Sequence, residues 1–225
     1  MRLGLFGGTF DPIHRGHIAL ARSVRDLFDL DRLLLLPAWV PPHKLGAEVS
    51  DWRHRFAMAE LACGEVDRVE ASGLEGARPG PSYTVETLEQ FRAELATGDP
   101  LLFVMGADSL AELSSWKDHR RILDLANVVV APRAGADRAA ILAGLDAEAR
   151  ERVVMVGPPG ADAAVPVPAA GRIYWVDLPL VQISGRDIRR RVSAGTSIGG
   201  LVPETVEAYI SRCELYTGRD RSPSE

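Results

Sequence analysis

Residues 3–17 of this chain read LGLFGGTFDPIHRGH: a short apolar run, a pair of glycines and two histidines directly before an amphipathic stretch. An apolar run that ends at glycine and leads into a helical pattern is typical of a strand that turns into a helix at a ligand-binding edge. Gly7 and Gly8 let backbone amides approach a ligand closely, and the helix N-terminus adds N–H groups and a partial positive charge. The stretch therefore predicts an anion-binding turn after the first strand.

The same alternation of apolar runs and amphipathic stretches continues along the chain. Nearly unbroken apolar strands between helices predict an α/β fold with a doubly wound parallel sheet, covered on both faces. The predicted strands are residues 2–7, 32–37, 68–72, 101–106, 127–132, 153–156 and 173–176. The predicted helices are residues 16–27, 51–64, 83–96, 109–125 with a break near Ser115, 137–150, 187–194 and 203–212. We expect a single domain over residues 1–216 with a small C-terminal helical part, followed by a polar, frayed tail over residues 217–225.

Composition and charge exclude several classes of protein. Of 225 residues, 46% are hydrophobic and 25% are charged, which is ordinary for a folded globular chain. The net charge is −5, from 26 Lys and Arg against 31 Asp and Glu, so there is no overall basic field to attract nucleic acid or an anionic membrane. We expect neither as a partner, and any phosphate must be bound locally. The oligomeric state stays open, so an oligomer is compatible with the sequence.

Targeting signals and cysteines indicate where the protein works. The richest apolar run, residues 33–40, contains Pro37 and falls short of the roughly 18 residues that span a bilayer. The first apolar run is too short for the hydrophobic region of a signal peptide. Cys63 and Cys213 have no C-x-x-C spacing and lie in predicted helices, which is typical of buried free thiols in a reducing compartment. We therefore expect a cytoplasmic protein.

Two familiar phosphate motifs are absent from the first turn. The dinucleotide fingerprint G-x-G-x-x-G would need glycines two and five residues after Gly4, where Phe6 and Thr9 stand, and no G-K-[ST] follows to make a P-loop. His14 and His17 are three residues apart at a helix start, so both rings can lie on one face and donate to a phosphate. Only Asp11 accompanies them at a spacing suited to zinc, so we predict no protein-held metal.

Longer matches identify a family. Residues 8–17, GTFDPIHRGH, resemble the G-x-F-D-P-x-H-x-G-H signature of the nucleotidylyltransferase superfamily, whose members transfer AMP or CMP from a nucleoside triphosphate. Further segments, in order, resemble the bacterial nicotinate-nucleotide adenylyltransferases: PPHK at 41–44, PSYT at 81–84, GADSL at 106–110 with Trp116, and ISGRDIR at 183–189. The matches run through almost the whole chain. They imply a Rossmann-like nucleotidylyltransferase fold and transfer of AMP from ATP to nicotinate mononucleotide, with Mg²⁺ carried on the ATP phosphates.

The resemblance also implies a role for each matching residue. The implied catalytic residues are His14, His17 and Arg189, all on the polyphosphate. The implied ATP-binding residues are Gly7, Gly8, Thr9, Phe10, Gly106, Asp108, Ile183, Ser184 and Arg186. The implied acceptor residues are Lys44, which steadies a phosphate, Thr84, whose backbone meets the nicotinate carboxylate, and Trp116, which stacks on the pyridine ring. No arginine or lysine lies beside residues 82–84 in the sequence, so backbone amides are the expected carboxylate partners.

One segment departs from the family pattern. In I-S-x-T-x-I-R, Arg186 stands where threonine is usual, so the role of that hydroxyl does not carry over. From the residues alone, Ser184 is expected to N-cap the last-but-one helix while Asp187 returns a hydrogen bond. Arg186 and Arg189 share a face that can approach a polyphosphate, whereas Arg190 and Arg191 are expected to face solvent or a neighbouring acid.

Three alternatives remain at this stage. The same chemistry could act on another acceptor, such as nicotinamide mononucleotide or phosphopantetheine. A redox enzyme with a Rossmann fold would use Asp29 or Asp31 on a ribose, but the missing fingerprint argues against it. A non-catalytic nucleotide- or nucleic-acid-binding module would use the arginines near residue 189, although an acidic chain with one basic helix is weak support for it.

Overall fold

Seven parallel strands form one sheet in the part of the chain that the structure describes. The computed structural model describes residues 1–41, 49–78, 80–132, 135–157, 165–178, 181 and 183–218. Within them the strand order is β3-β2-β1-β4-β5-β7-β6, and every neighbouring pair runs parallel. The strands are β1 (Leu3–Gly8), β2 (Arg32–Pro37), β3 (Val69–Ala71), β4 (Leu101–Gly106), β5 (Asn127–Ala131), β6 (Val153–Val156) and β7 (Ile173–Val176). The predicted doubly wound α/β fold is confirmed.

Helices cover both faces of this sheet. They are α1 (Arg15–Leu27), α2 (Trp52–Cys63), α3 (Thr84–Glu94), α4 (Ala107–Ala111), α5 (His119–Leu125), α6 (Arg138–Gly144), α7 (Ala147–Glu151), α8 (Gly185–Ser193) and α9 (Glu204–Arg212), with short 3₁₀ turns at Leu74–Ala77 and Leu113–Ser115. None of the helices in the described part of the chain combines the length and apolar character needed to cross a membrane.

Alternation along the strands divides the core into two layers. Phe6 and Val104 point to one face, where they pack with apolar side chains of α1, α2, α8 and α9. Leu5 and Phe103 point to the other face, against α3, α4 and α5. Successive strand residues face opposite sides of a sheet, so runs with no polar interruption require cover on both sides.

The predicted helix over residues 137–150 is wrong as a single element, because a second N-cap divides it. Asp137 accepts the N–H of Ala140 at the start of α6, and Asp146 accepts the N–H of Ala149 at the start of α7. An aspartate favours a helix N-cap over a helix interior. The guanidinium of Arg150 then binds the carbonyl oxygens of Leu142 and Leu145 at the end of α6. The break predicted near Ser115 is confirmed, since α4, a 3₁₀ turn and α5 occupy that region.

The strand order places a crevice between two loops. From β1 the chain builds β2 and β3 on one side and then returns to build β4 on the other. The connections that leave β1 and β4 therefore turn away from each other at the carboxyl ends of the strands. Such a switch point is where open α/β sheets bind their ligands.

Candidate active site

A cleft of about 1130 Å³ opens at the switch point. Small-molecule sites usually measure about 300–1,000 Å³, so this cleft has room for more than one small substrate. Every predicted site residue that the structure describes lines it: Gly7, Gly8, Thr9, Phe10, His14, His17, Thr84, Gly106, Asp108, Trp116, Ile183, Ser184, Arg186 and Arg189. Lys44 lies outside the described residues. Segments separated by most of the chain length thus meet in one place.

The two cleft histidines form the start of α1. His14 is the N-cap: its Nδ1 accepts the backbone N–H of His17 at 3.3 Å, and Nδ1 of His17 accepts the backbone N–H of His14 at 3.2 Å. The rings stack with centroids 3.6 Å apart and planes 19° apart. A ring nitrogen that accepts a hydrogen bond carries no hydrogen, so in each neutral ring the proton resides on Nε2. The capping pattern therefore makes Nε2–H the donor of both side chains.

The Phe10 side chain packs against the histidine pair through His17. Its ring is 2% exposed and meets His17 edge-on, with centroids 5.0 Å apart. A Cβ on Gly8 would lie 2.8 Å from this ring, which is too short for a van der Waals contact. The glycine is therefore needed for packing as well as for ligand access. Phe10 itself has a left-handed backbone, with φ of 50°. The structure thus gives the Phe10 side chain a packing role beneath the turn.

A buried arginine that the sequence analysis did not select ties the loops of the cleft together. Arg55 of α2 is 1% exposed. Its guanidinium donates to the carbonyl oxygens of Thr9 at 2.9 Å and Ala38 at 2.8 Å, in the loops after β1 and β2. It also donates to the carbonyl oxygens of Ser50 at 2.9 Å and Trp39 at 3.2 Å. Burial lowers the pKa of Arg55, and the Asp11 carboxylate opposes this effect. The signal was present: residue 55 occupies the same helix stripe as the buried Met58, Ala59 and Ala62.

The start of α8 differs from its sequence-based prediction. The predicted capping box does not form, since the side chain of Ser184 makes no capping hydrogen bond. Asp187 instead binds Arg190 and Arg191, and the hydrogen bond from Arg191, followed by that from Arg190, lowers the pKa of its carboxyl. An exposed arginine pair competes well for a carboxylate, which accounts for the missing capping bond. Residues 184–187, at the start of α8, line the cleft. The prediction that Arg190 and Arg191 meet a neighbouring acid is confirmed.

Arg189 reaches back from α8 to the first turn. Its Nη1 donates to the backbone carbonyl of Asp11 and lies 3.8 Å from Oδ2 of the Asp11 carboxylate. The side chain of Arg189 is 35% exposed and the carboxylate 4%. Arg186, one turn earlier, is exposed and also lines the cleft. Arg186 and Arg189 therefore border the end of the cleft where α1 and α8 begin, together with Arg191, which is paired with Asp187.

The other end of the cleft is built around the start of α3. Thr84 is its first residue, and the N-cap, Tyr83, makes no side-chain capping bond. Trp116 packs edge-on against Phe103, with ring centroids 6.4 Å apart. A cation is close in space although none is adjacent in sequence: Nζ of Lys117 lies 4.6 Å from the centre of the Tyr83 ring and 2.7 Å from Oε1 of Glu86. Lys117 therefore lies close to the pocket in which backbone amides are the expected partners of the carboxylate.

Carboxylates also border the cleft. Glu75 is buried, and its Oε1 accepts the hydroxyl of Thr87 at 2.9 Å, while Arg78 donates to the same hydroxyl oxygen at 2.6 Å. Sequence reasoning missed this pair because Glu75 belongs to a 3₁₀ turn with no strand or helix pattern. Asp108 and Glu112 are further lining residues. Among the residues that the structure describes, no three His, Cys, Asp or Glu side chains gather as a metal site.

Comparisons with known proteins agree with this site. The family model described as cytidylyltransferase-like matches residues 5–191. The probable nicotinate-nucleotide adenylyltransferase of Thermomicrobium roseum is 42% identical over 217 residues, covering 96% of this chain and 91% of the relative. The enzyme of that description from Geobacter sulfurreducens is 38% identical over 216 residues, covering 96% and 98%.

Solved structures support the fold. Nicotinic acid mononucleotide adenylyltransferase of Plasmodium falciparum, complexed with NaAD, superposes with a TM-score of 0.71 at 15% identity, covering 96% of this chain and 97% of that one. At that identity the likeness concerns the fold, whereas the sequence relatives and the family model carry the assignment. The chain therefore belongs to the nicotinate-nucleotide adenylyltransferase family of the cytidylyltransferase-like superfamily.

Proposed function

We propose that the protein transfers AMP from ATP to nicotinate mononucleotide and releases pyrophosphate and nicotinate adenine dinucleotide. One observation carries this proposal for the present chain. Residues matched to the ATP side, such as His14 and Arg189, and residues matched to the acceptor side, such as Thr84 and Trp116, line a single cleft. The two substrates can then meet with their phosphates between the starts of α1 and α8.

The reaction is an in-line displacement at the α-phosphorus of ATP. An oxygen of the mononucleotide phosphate forms the new P–O bond while the bond to the β-phosphate bridging oxygen breaks, and pyrophosphate leaves with the electron pair. The attacking phosphate is already ionised, so no general base is required. Alignment of the two phosphates and stabilisation of the developing charge are the tasks left to the protein.

The polyphosphate end of the cleft supplies these donors. The reciprocal capping bonds orient both rings with Nε2–H as the donor, and we assign these donors to the phosphate chain. The N-termini of α1 and α8 add partial positive charge, and the start of α8, which has no side-chain cap, also offers backbone N–H groups. We assign Arg189 to the departing pyrophosphate, because its guanidinium, in contact with Asp11, borders this end of the cleft. Arg186, exposed beside it, adds attraction at longer range.

The acceptor end recognises the nicotinate group. Backbone N–H groups at the start of α3, next to Thr84, suit a carboxylate, since the N-cap side chain does not cover them. Trp116 offers an aromatic face for the pyridine ring, and its packing against Phe103 fixes its orientation. The ammonium of Lys117 contributes positive charge near the same pocket, reduced by its contact with Glu86.

Mg²⁺ enters this proposal with ATP. Magnesium is usually held by one or two carboxylates together with substrate phosphates and water, and the separate carboxylates Asp108 and Glu112 fit that pattern. When bound, the ion neutralises charge on the triphosphate. The free thiols of Cys63 and Cys213 are consistent with the cytoplasmic location that we also propose.

A coupled pyrophosphate assay tests the function. Purified protein receives Mg-ATP with nicotinate mononucleotide, nicotinamide mononucleotide or phosphopantetheine in parallel, and mass spectrometry identifies the product. We expect pyrophosphate release with nicotinate mononucleotide, together with equimolar nicotinate adenine dinucleotide. Faster turnover of either other acceptor would reject the proposed substrate while retaining the adenylyl transfer.

A further inference from the structure

Tyr216 joins the end of the described chain to the first turn. It follows α9 and is 9% exposed. Its hydroxyl donates to Oδ1 of Asp11 at 2.7 Å, across 205 residues of sequence. Neither the family signature nor the lining of the cleft includes this tyrosine. Its single hydroxyl therefore acts on the cleft through Asp11.

Asp11 links three segments around the polyphosphate end. Its Oδ1 accepts from Tyr216, its Oδ2 accepts the backbone N–H of Ser50 at 3.3 Å, and its backbone carbonyl accepts from Arg189. A Cβ on Gly185 would lie 3.0 Å from the same carbonyl oxygen, so the first turn of α8 rests directly on Asp11. A rotation of the Asp11 side chain would thus change the position of Arg189 and of the start of α8.

The guanidinium of Arg189 has two possible acceptors on Asp11, the backbone carbonyl and the side-chain carboxylate. Nη1 lies on the Asp11 carbonyl, while the carboxylate oxygen Oδ2 is 3.8 Å away, beyond hydrogen-bond distance. A buried carboxylate that lost a donor would take the nearest cation as replacement, since an unsatisfied buried charge is costly. The guanidinium groups of Arg55 and Arg189 both interact with Asp11: that of Arg55 is held by four backbone carbonyl oxygens, whereas that of Arg189 donates to the Asp11 backbone and is the one that would move to the carboxylate.

We propose that Tyr216 is a positioning residue for the ATP end of the cleft: its hydrogen bond satisfies Asp11 and so leaves Arg189 available to the polyphosphate. This inference rests on the proposed function. Two further features of Tyr216 support it. Its backbone is left-handed, with φ of 64°, a conformation that a tyrosine adopts rarely and that brings the ring under the turn. Burial, and next the charge of Asp11, raise the pKa of Tyr216, so the hydroxyl stays a donor.

Tyr216→Phe tests this proposal with a matched control. The variant keeps the buried ring and removes one hydroxyl. The control is Tyr209→Phe, which removes the hydroxyl of another C-terminal tyrosine, 2.9 Å from Nδ1 of His54 and outside the cleft. We expect Tyr216→Phe to raise the KM for ATP about fivefold, the scale of one hydrogen bond, with the KM for the mononucleotide unchanged. Tyr209→Phe should leave both constants unchanged.

A second substitution separates positioning from a general loss of packing. Asp11→Asn removes the charge that would attract Arg189 but keeps an oxygen for the Ser50 N–H. In the Asp11→Asn background, whatever the KM for ATP of that single variant, Tyr216→Phe should no longer raise it. A further rise in the KM for ATP when Tyr216→Phe is added to Asp11→Asn, or equal values for Tyr216→Phe and Tyr209→Phe, would each overturn the proposal.

The failure of the proposed function would be visible separately. If the wild type forms no dinucleotide, that function is wrong, and calorimetric titration of the same four variants with Mg-ATP still measures the effect of Tyr216. The same ordering is expected for the Kd of ATP as for its KM. A Kd unaffected by Tyr216→Phe would reject the positioning role whatever the reaction.

Discussion

Nδ1 of His14 and Nδ1 of His17 each accept the backbone N–H of the other residue, so the two histidines cap α1 and orient one another at the same time. Substitution by alanine would remove both the cap and the donor. Asparagine separates these roles, since its side-chain oxygen can replace Nδ1 as the capping acceptor but no group reaches the position of Nε2.

We expect His14→Asn and His17→Asn each to lower kcat by roughly a hundred- to a thousandfold, the usual effect of removing one transition-state donor. The alanine variants should lose as much activity and also about 0.5–2 kcal/mol of stability through the missing cap. Steady-state kinetics and urea unfolding measure the two effects. An asparagine variant with near-normal kcat would show that the histidines serve only to start the helix.

The pocket at the start of α3 should prefer the acid over the amide. We expect kcat/KM for nicotinate mononucleotide to exceed that for nicotinamide mononucleotide at least about tenfold, because an amide leaves oriented N–H donors without an anionic partner. Lys117 is about half exposed, so Lys117→Met should reduce kcat/KM for the acid no more than about fivefold, and less at high salt. Lys117→Arg is the control that keeps the charge. If the preference disappears in Lys117→Met, the ammonium rather than the backbone is the carboxylate partner.

Arg189 and Arg186 should differ in their effect on ATP. Arg189→Ala removes a guanidinium that we assign to the polyphosphate, so both a higher KM for ATP and a lower kcat are expected. Arg186→Thr restores the residue usual in the family and removes an exposed cation, so the KM for ATP should exceed the wild-type value about two- to fivefold at low salt, and the difference should shrink as salt is added. Arg190→Ala, whose side chain binds Asp187, serves as the control. Unchanged kinetics in Arg186→Thr would mean that Arg186 does not contact the nucleotide.

Arg55 should matter for stability more than any exposed arginine. Arg55→Met leaves the carbonyl oxygens of Thr9, Ala38 and Ser50 without their donor, and we expect a loss of about 3–5 kcal/mol in the free energy of unfolding. Arg53→Met changes an exposed residue of the same helix and should stay within about 0.5 kcal/mol of wild type. Urea unfolding of the two variants measures the difference. Equal midpoints would show that the contacts of Arg55 do not stabilise the fold.

Alkaline stability should depend on Tyr216. A tyrosine whose pKa is raised in the folded state keeps a proton that the unfolded chain loses above about pH 10. Its contribution to stability is therefore complete below pH 10 and falls by about 1.4 kcal/mol per pH unit above it. Urea unfolding between pH 9 and 11 should show a shallower decline for Tyr216→Phe than for the wild type. Parallel declines would indicate that Tyr216 ionises in the folded protein as readily as in the unfolded chain.

The sheet was predictable because local signals and tertiary packing agree there. Apolar runs bounded by glycine, proline or charge, such as Leu101–Gly106, became strands with nearly the predicted limits. The prediction of one helix over residues 137–150 was wrong because a periodic apolar pattern does not show that Asp146 caps a second helix. The single-domain assignment and the roles given to individual site residues, including Lys44, stay predictions.

The site was predictable in membership and less so in its contacts. Positions after strands, together with the family motifs, selected residues that line one cleft. Most contacts of Arg55, Tyr216 and Lys117 join residues that are far apart in sequence, and no local pattern indicates which carbonyl, carboxylate or ring a side chain will contact. Of these three residues, only Arg55 has a recognisable signal in the sequence, because it is a charged residue on the apolar stripe of a helix.

The crevice between the loops of β1 and β4 has a consequence for how ligands compete. Two separate substrates that bind at the two ends of the crevice each incur the entropic cost of lost translation and rotation. One molecule that occupies both ends incurs this cost only once. The dinucleotide formed by the proposed reaction is such a molecule, and so is any synthetic ligand that links an adenosine to a pyridine carboxylate. Bivalent inhibitors of matching length should therefore bind far more tightly than either half, and departure of the dinucleotide is the step that a two-sided crevice makes slow.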